Sequence, residues 1–292
     1  MRMPDTFIPP ALAVVVLGLL ASLGWGIADF GGGLASRRAP VLGVLLGSQL
    51  ASVAVGLPLL FVFAGEPAMR AEDLAISVAG GVLGASGLAL LYRGLSVGRM
   101  GVVAPLAAVL TAILPVAFGF LTEGIPSFVA IIGMGFAVVS VVLVSRAPAE
   151  PDGRPSGIKY GIGAGAIFGL FAVSASQLGE DLILSPTIVI RMTSITVLVA
   201  WILLRRQPWR VDRRLWPALA AIGVIDMAAT ASYLSAIGVG PLAIAASLAS
   251  LYPVVTTILA ALVLKERIRP IHAAGIAAAG LAVVLIAGAT RG

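Results

Sequence analysis

Residues 94–111 read GLSVGRMGVVAPLAAVLT, and residues 236–253 read AIGVGPLAIAASLASLYP. The two segments align at an offset of 142, which places Gly98 on Gly240. Both segments are apolar, and both are rich in Gly and Ala. The match predicts that the chain consists of two similar halves.

Further matches extend this similarity beyond the quoted segments. Within one residue of the same offset, Glu123 aligns with Glu266 and Gly133 aligns with Gly275. Each match is weak by itself, and their shared offset is what carries the inference. The halves therefore resemble each other over more than one helix length.

The composition indicates that both halves fold in lipid. Of the 292 residues, 60% are apolar and only 11% are charged, whereas an ordinary globular domain has about 25% charged residues. The mean hydropathy is +1.10. So few charges cannot cover the surface of a water-soluble protein of this size, and we therefore expect an integral membrane protein.

The apolar runs predict an all-α fold of ten transmembrane helices, because a bilayer core needs about 20 apolar residues per helix. The first run continues past the length of a signal-peptide core, so we count it as a mature helix. The predicted spans are 11–35, 41–64, 74–96, 101–121, 126–145, 158–178, 186–204, 215–237, 241–263 and 270–288.

The basic residues predict the orientation. Fifteen of the 19 Lys and Arg residues follow odd-numbered spans, three lie on the other side, and Arg191 lies inside a span. Lys and Arg in short loops mark the cytoplasmic side. We therefore expect a multi-pass protein of the inner (plasma) membrane with both termini outside the cytoplasm. The same distribution explains the net charge of +6 without a nucleic-acid partner.

Five spans per half is an odd number, so the second half must enter the membrane from the opposite side. This predicts an inverted repeat, an arrangement that recurs in secondary transporters. The predicted domains are a first five-helix repeat at 1–146, a cytoplasmic linker at 147–157 and a second five-helix repeat at 158–292.

Several local motifs accompany these two halves. In the first half, Trp25 stands between two glycines. The first half departs from the second, because Pro115 has no aligned proline and Glu123 is followed by Gly124. The second half carries Leu251-Tyr252-Pro253-Val254, then Lys265-Glu266-Arg267, Pro270, Gly275 and Gly280.

With these motifs, the whole chain resembles the drug/metabolite transporter superfamily, specifically its EamA-type members. The resemblance implies a polytopic carrier of small metabolites that most often exports amino acids or drug-like compounds. It implies a cavity between the repeats, with spans one, three, four, six, eight and nine as its walls. It also marks Lys265, Glu266 and Arg267 as a signature loop, for which both a structural role and a role in gating stay open.

Other classes of function fit the sequence less well. The chain has no Cys and one His, which excludes the usual Cys or His metal centres, and we expect neither a metal nor a cofactor. No ATP-binding motif is present, so active transport would draw on exchange or on a coupling ion such as the proton.

We expect no enzymatic activity. An importer or facilitator and, less favoured, a membrane-embedded lipid-modifying enzyme remain alternatives, and the oligomeric state stays open.

Three ionisable residues lie well inside predicted spans: Asp29, Arg191 and Asp226. Each costs about 2.5–3.5 kcal/mol at the bilayer centre on insertion scales. Arg191 and Asp226 lie about 3 Å apart in depth at 1.5 Å per residue, so the two can pair. The pair either fixes span seven against span eight or lines the substrate path.

Neighbouring residues extend this polar set. Thr230 and Tyr233 follow Asp226 on one helix face. Trp25 shares a face with Asp29, and an aromatic ring beside a carboxylate can hold an organic cation. The alternative for Asp29 is a solvated carboxylate at the cytoplasmic end of its span.

Two prolines are predicted to interrupt spans and border the cavity. Pro115 lies in span four and Pro253 in span nine. Each removes a helical hydrogen bond and frees the carbonyl four residues back, at Thr111 and Ala249. Free carbonyls are tolerated where they line a cavity, although a packing kink without a ligand is the other interpretation. Tyr252, beside Pro253, is the remaining candidate cavity residue.

The predicted orientation can be checked by cysteine labelling, because the natural chain has no cysteine. In intact cells, cysteine at Arg210 should resist a membrane-impermeant thiol reagent, since its loop is predicted to face the cytoplasm. Cysteine at Glu180 should react. The reverse pattern would overturn the orientation.

Overall fold

The structure is a computed structural model that describes residues 9–36, 38–62, 65–97, 100–144, 157–179, 181–263 and 269–289. Over these residues the fold is all-helical, with short connections and no strand. The helices of the first half are α1 (Pro10–Ser36), α2 (Val41–Val62), α3 (Ala71–Val97), α4 (Met100–Thr122) and α5 (Phe128–Val144). Those of the second half are α6 (Ile158–Ala175), α7 (Leu184–Arg205), α8 (Trp216–Val239), α9 (Leu242–Ala249), α10 (Tyr252–Val263) and α11 (Pro270–Ala289).

Within the described residues, eight segments are long and apolar enough to cross a membrane, and α9 and α10 together form one of them. Two further apolar helices, Ala107–Thr122 and Phe128–Val144, are shorter. Large apolar side chains point outward, including Leu121 at 86% exposure and Leu204 at 83%. The chain is therefore a multi-pass membrane protein, while the number of ten spans stays a prediction.

The predicted ninth span is broken rather than kinked. Helix α9 ends at Ala249, and α10 begins at Tyr252. Pro253 is thus the second residue of a new helix and not a mid-helix residue, so that part of the prediction was wrong. A proline is well tolerated in the first turn of a helix, where its missing N–H has no partner to lose.

The helices pack in pairs that mostly join one half of the chain to the other. Helix α1 packs against α8, α9 and α10, whereas α6 packs against α3 and α4. Helix α2 packs against α8, and α7 packs against α3. Helices α2 and α7 also pack against each other, as do α5 and α11, and α4 and α9. The two halves are therefore interleaved.

Glycine permits the closest of these contacts. A Cβ atom at Gly223 of α8 would lie 2.0 Å from the carbonyl oxygen of Ser48 on α2. At the same crossing, Ser52 Oγ donates a hydrogen bond to the Gly223 carbonyl oxygen at 2.6 Å. Between α7 and α3, Ser194 Oγ donates to the Gly81 carbonyl oxygen at 3.0 Å. The serines and the glycines of these two bonds are each separated by 142 positions.

Substitution of Gly223 should separate α2 from α8. We expect Gly223→Ala to lower the thermal unfolding midpoint in detergent, because the methyl group meets backbone that cannot rotate away, and such overpacking costs about 1–3 kcal/mol. At Gly238, in the same helix, a Cβ would have no atom within 4 Å. Gly238→Ala is therefore the control, and equal destabilisation by both variants would refute the close-contact explanation.

Candidate functional site

A cavity of about 140 Å³ lies at the centre of the bundle. Its lining comes from α1, α2, α3, α4, α6, α7, α8 and α9, and from the α9–α10 break. The six walls implied by the resemblance are among them, whereas α2 and α7 were not named as walls, although Arg191 of span seven was a candidate for the substrate path. Helix α2 contributes Gln49, and α7 contributes Ile190, Arg191 and Ser194.

All seven residues that the sequence singled out for the substrate path line this one cavity. They come from the four helices α1, α7, α8 and α10, and their role in binding a substrate remains a prediction. They are Trp25, Asp29, Arg191, Asp226, Thr230, Tyr233 and Tyr252.

The predicted helix-breaking positions lie behind the cavity wall. Pro115 and Pro253 are buried, and neither is among the lining residues. The residues four positions before them, Thr111 and Ala249, do line the cavity. The expectation that the prolines themselves border the cavity was thus wrong. Pro115 lies inside the continuous helix α4, and Pro253 lies in the first turn of α10. The signature loop Lys265, Glu266 and Arg267 lies outside the described residues.

Arg191 has an ion-pair partner and several hydrogen-bond partners in the cavity. It is only 6% exposed, and its Nη1 lies 2.8 Å from Asp226 Oδ2. Nη1 also donates to Gln49 Oε1 at 3.4 Å. Nη2 donates to Thr230 Oγ1 at 2.5 Å and to the Asp226 carbonyl oxygen at 3.2 Å. The pairing predicted from depth is therefore present. The neutral partners accept further hydrogen bonds from the two Nη atoms of the guanidinium.

The ion pair joins three helices rather than two. Helices α7 and α8 make few direct contacts, whereas α2 packs against both of them. Gln49 of α2 completes the set around Arg191. The pair does link α7 to α8 directly, but these helices make few other contacts, and α2 packs against both of them.

Asp29 is the second carboxylate of the cavity. It is half-buried, and it lies within range of electrostatic repulsion from Asp226. In the described part of the chain, no cation lies within ion-pair distance of Asp29. With both carboxylates ionised, the cavity holds two negative charges and one positive charge. A ligand with a net positive charge, or a proton on one carboxylate, would balance them, and a positive group on any ligand would find a partner in Asp29.

Two hydrogen-bond donors in the cavity lack a protein partner among the described residues: Arg191 Nε and the Tyr233 hydroxyl. Tyr233 is 2% exposed, and its ring lies 5.4 Å from that of Trp25 at a tilt of 44°. A buried donor without an acceptor costs about 1–3 kcal/mol. Both groups are therefore available to an acceptor on a bound molecule.

Sequence reasoning missed several neutral residues of the site. Phe168 and Phe171 of α6 line the cavity together with Gln49 and Ser194. One signal was available for Gln49, because it aligns with Arg191 at the repeat offset. The aromatic residues of α6 carry no such signal, since apolar residues are common throughout a membrane protein.

Residues 155–288 match the EamA-like transporter family. This part of the chain is an EamA-like transporter domain. The resemblance identified from the sequence motifs is thereby confirmed. The family consists of membrane transporters of small molecules, and the protein is accordingly a membrane transporter. The domain supplies Arg191, Asp226, Thr230, Tyr233 and Tyr252, while Trp25, Asp29 and Gln49 come from the half before it.

The comparison with solved structures extends over both halves. A crystal structure described only as that of a protein matches 97% of this chain and 96% of its own, with a TM-score of 0.67 and 18% sequence identity. At that identity the likeness shows the fold alone. No curated protein matches the chain.

Thr230 tests how far neutral partners support the guanidinium within the EamA-like domain. Thr230→Val keeps the side-chain shape but removes the acceptor of Arg191 Nη2. We expect a loss of about 1–3 kcal/mol in unfolding free energy. Thr196→Val is the matched control, because Thr196 is exposed and its hydroxyl donates only to the Met192 carbonyl within α7. If the two variants are equally stable, Thr230 does not support the charge.

Proposed function

We propose that the protein is a secondary transporter that exports small zwitterionic metabolites, amino acids above all, by alternating access. One observation carries the proposal: the central cavity combines Asp29, which has no cation partner among the described residues, with two buried donors that have no acceptor there. A zwitterion offers both missing partners. Its ammonium group would bind Asp29, and its carboxylate would accept from Arg191 Nε and the Tyr233 hydroxyl.

The size of the cavity supports a small ligand. Sites for drug-sized molecules enclose about 300–1,000 Å³, whereas this cavity encloses about 140 Å³. A metabolite with few heavy atoms fits such a space more easily than a drug. A larger substrate would require the helices to move apart first.

A second candidate substrate class is the small organic cation. Trp25 lies one helical turn before Asp29 and beside Tyr233, and an aromatic face attracts a cation. In this case Asp29 would again bind the positive group, but the Tyr233 hydroxyl would have no role in recognition. The two classes therefore differ in a measurable way.

We also propose that the two halves, 1–146 and 158–292 with a linker at 147–157, form an inverted repeat. The interhelical contacts support this: exchanging each helix for its counterpart in the other half turns α1–α8 contacts into α6–α3 contacts and α2–α8 contacts into α7–α3 contacts. The Ser52–Gly223 and Ser194–Gly81 hydrogen bonds interchange in the same way. Gln49 and Arg191, which are 142 positions apart, touch each other, as residues on a two-fold axis would.

An inverted repeat supplies two conformations of similar energy, which alternating access needs. One end of the bundle, the capped face, is held closed by carboxylates of the first half that accept hydrogen bonds from backbone N–H groups of the second half. These bonds are Glu66 to Ser185 at 2.8 Å, Asp73 to Gly179 at 2.9 Å and Glu123 to Leu242 at 2.8 Å. The charge bias assigns this face to the outside. Opening the cavity outward would therefore break these three contacts.

The proposed energy source is an ion gradient, with the proton as the coupling ion. Asp226 alternates, in this proposal, between pairing with Arg191 and releasing it to the substrate. A zwitterion adds no net charge, so the cavity with both carboxylates ionised keeps one excess negative charge, and a proton on one carboxylate would compensate it. The membrane would be the inner (plasma) membrane, with both termini outside the cytoplasm.

The test is transport by purified protein in proteoliposomes. The substrate panel contains amino acids, the corresponding amines without the carboxylate, and a quaternary ammonium compound. We expect the wild type to transport at least one amino acid. Asp29→Asn should reduce that transport about tenfold or more, because a hydrogen-bonded charge contributes about 1.5–3 kcal/mol. Asp181→Asn is the control, since Asp181 is exposed on a loop.

Tyr233→Phe separates the two substrate classes. It should raise the KM for the amino acid and leave the KM for the corresponding amine unchanged, because only the amino acid has a carboxylate to accept the hydroxyl hydrogen bond. Transport of amines and quaternary ammonium compounds alone, unaffected by Tyr233→Phe, would favour the organic-cation candidate. Transport of no compound with a positive group would refute the proposal.

A further inference from the structure

A second cavity, of about 740 Å³, lies away from the central one in the half of the bundle opposite the capped face. We refer to it as the lateral crevice. Its walls are the first turn of α2, the second half of α3 and the last turns of α7. Nothing in the proposed transport cycle uses it.

The lateral crevice exists because two neighbouring helices diverge. Helices α2 and α3 both pack against α7 but make few contacts with each other. The side of α3 that faces the gap carries the small residues Ala85, Ser86 and Ala89. The floor is α7, with Val197 and Leu198. The result is a mainly apolar groove between helices.

The length of the groove matches one leaflet of a bilayer. From Ala85 to Arg93 the wall of α3 rises about 12 Å at 1.5 Å per residue, and the hydrocarbon core is about 30 Å thick. The groove thus runs from the helix ends towards mid-depth. Its deep end lies one turn from Ser194, which lines the central cavity.

The mouth of the groove is basic. Arg93, Arg205 and Gln207 border it, and all three are exposed. The Arg205 guanidinium lies 5.4 Å from the ring centre of Trp201, and Trp201 is 51% exposed. Among the described residues, no acidic side chain lines the crevice. Tryptophan and arginine at this depth are typical of the interface between headgroups and acyl chains.

We propose that the lateral crevice binds one anionic phospholipid of the leaflet on the Arg205 side, which the charge bias assigns to the cytoplasm. An acyl chain fills the apolar groove between α2 and α3, and the headgroup phosphate accepts hydrogen bonds from the guanidinium groups of Arg93 and Arg205. Basic pockets between transmembrane helices recognise anionic headgroups in this manner. A free phosphate would use the mouth but leave the groove unfilled, so both parts of the site point to a lipid.

The test is native mass spectrometry of the full-length protein in detergent, titrated with phosphatidylglycerol or with phosphatidylcholine of the same chain length. The wild type should bind the first phosphatidylglycerol about 25-fold more tightly than the first phosphatidylcholine. Each basic residue near the headgroup contributes about 1 kcal/mol, and two of them correspond to this ratio at 1.4 kcal/mol per factor of ten. Arg93→Gln with Arg205→Gln should abolish the preference.

The matched control is Arg213→Gln with Arg214→Gln. It removes the same charge from exposed residues at the same end of the bundle, and it should keep the preference. Ala89→Phe, which fills the groove, should weaken the binding of both lipids. The proposal is overturned if the control pair loses the preference equally, if the wild type shows none, or if glycerol 3-phosphate without acyl chains binds as tightly as the lipid.

Discussion

The burial of Arg191 is the constraint on which the rest of the structure depends. A guanidinium cannot shed its charge in a protein, and at 6% exposure it has almost no access to solvent. Its environment must therefore supply a counter-charge and several acceptors. Asp226 provides the first, and Thr230 and Gln49 add to the second. Helices α2, α7 and α8 meet this requirement together, at one point at the centre of the bundle.

The charges of the cavity are asymmetric, although the helix pairings that surround it are shared by both halves. Gly84 stands where the repeat offset would place a counterpart of Asp226, and Gln49 is the counterpart of Arg191. Both of these residues line the same cavity. The corresponding crossings in the other half form without these charges, so what Arg191 requires is not the helix pairing itself but suitable partners placed on the paired helices. Asp29 comes from the first half and the Arg191–Asp226 pair from the second, so the two ends of the cavity differ, as a ligand with two different ends would require.

Much of the site could be predicted from the sequence, because a charge in lipid is costly and therefore conspicuous. Asp29, Arg191 and Asp226 stand out against long apolar runs, and a fixed rise per residue was enough to place Arg191 and Asp226 at the same depth. Tyr233 and Thr230 followed from helical periodicity, and Tyr252 from its position beside Pro253.

The other features of the site depend on how the helices pack against each other, which the depth of each residue in its span does not reveal. The packing of α2 against both α7 and α8 brings Gln49 to Arg191, and nothing in the sequence singled out α2 as a wall. Phe168 and Phe171 are apolar residues among many others. The interruption at Ser250 and Leu251 requires that the chain leave the helix before Pro253, whereas a proline alone indicates only a kink.

The most direct test of the central role of the Arg191–Asp226 pair is the pH dependence of transport by a double variant, Arg191→Gln with Asp226→Asn, measured in proteoliposomes beside its unfolding midpoint. Removing both partners of a buried pair can be nearly neutral for folding, whereas removing one leaves the other unpaired and costs about 3–5 kcal/mol. We therefore predict a double variant that is folded better than Asp226→Asn alone, with transport that is lost or no longer depends on pH. A folded double variant with wild-type transport and a wild-type pH profile would contradict this role.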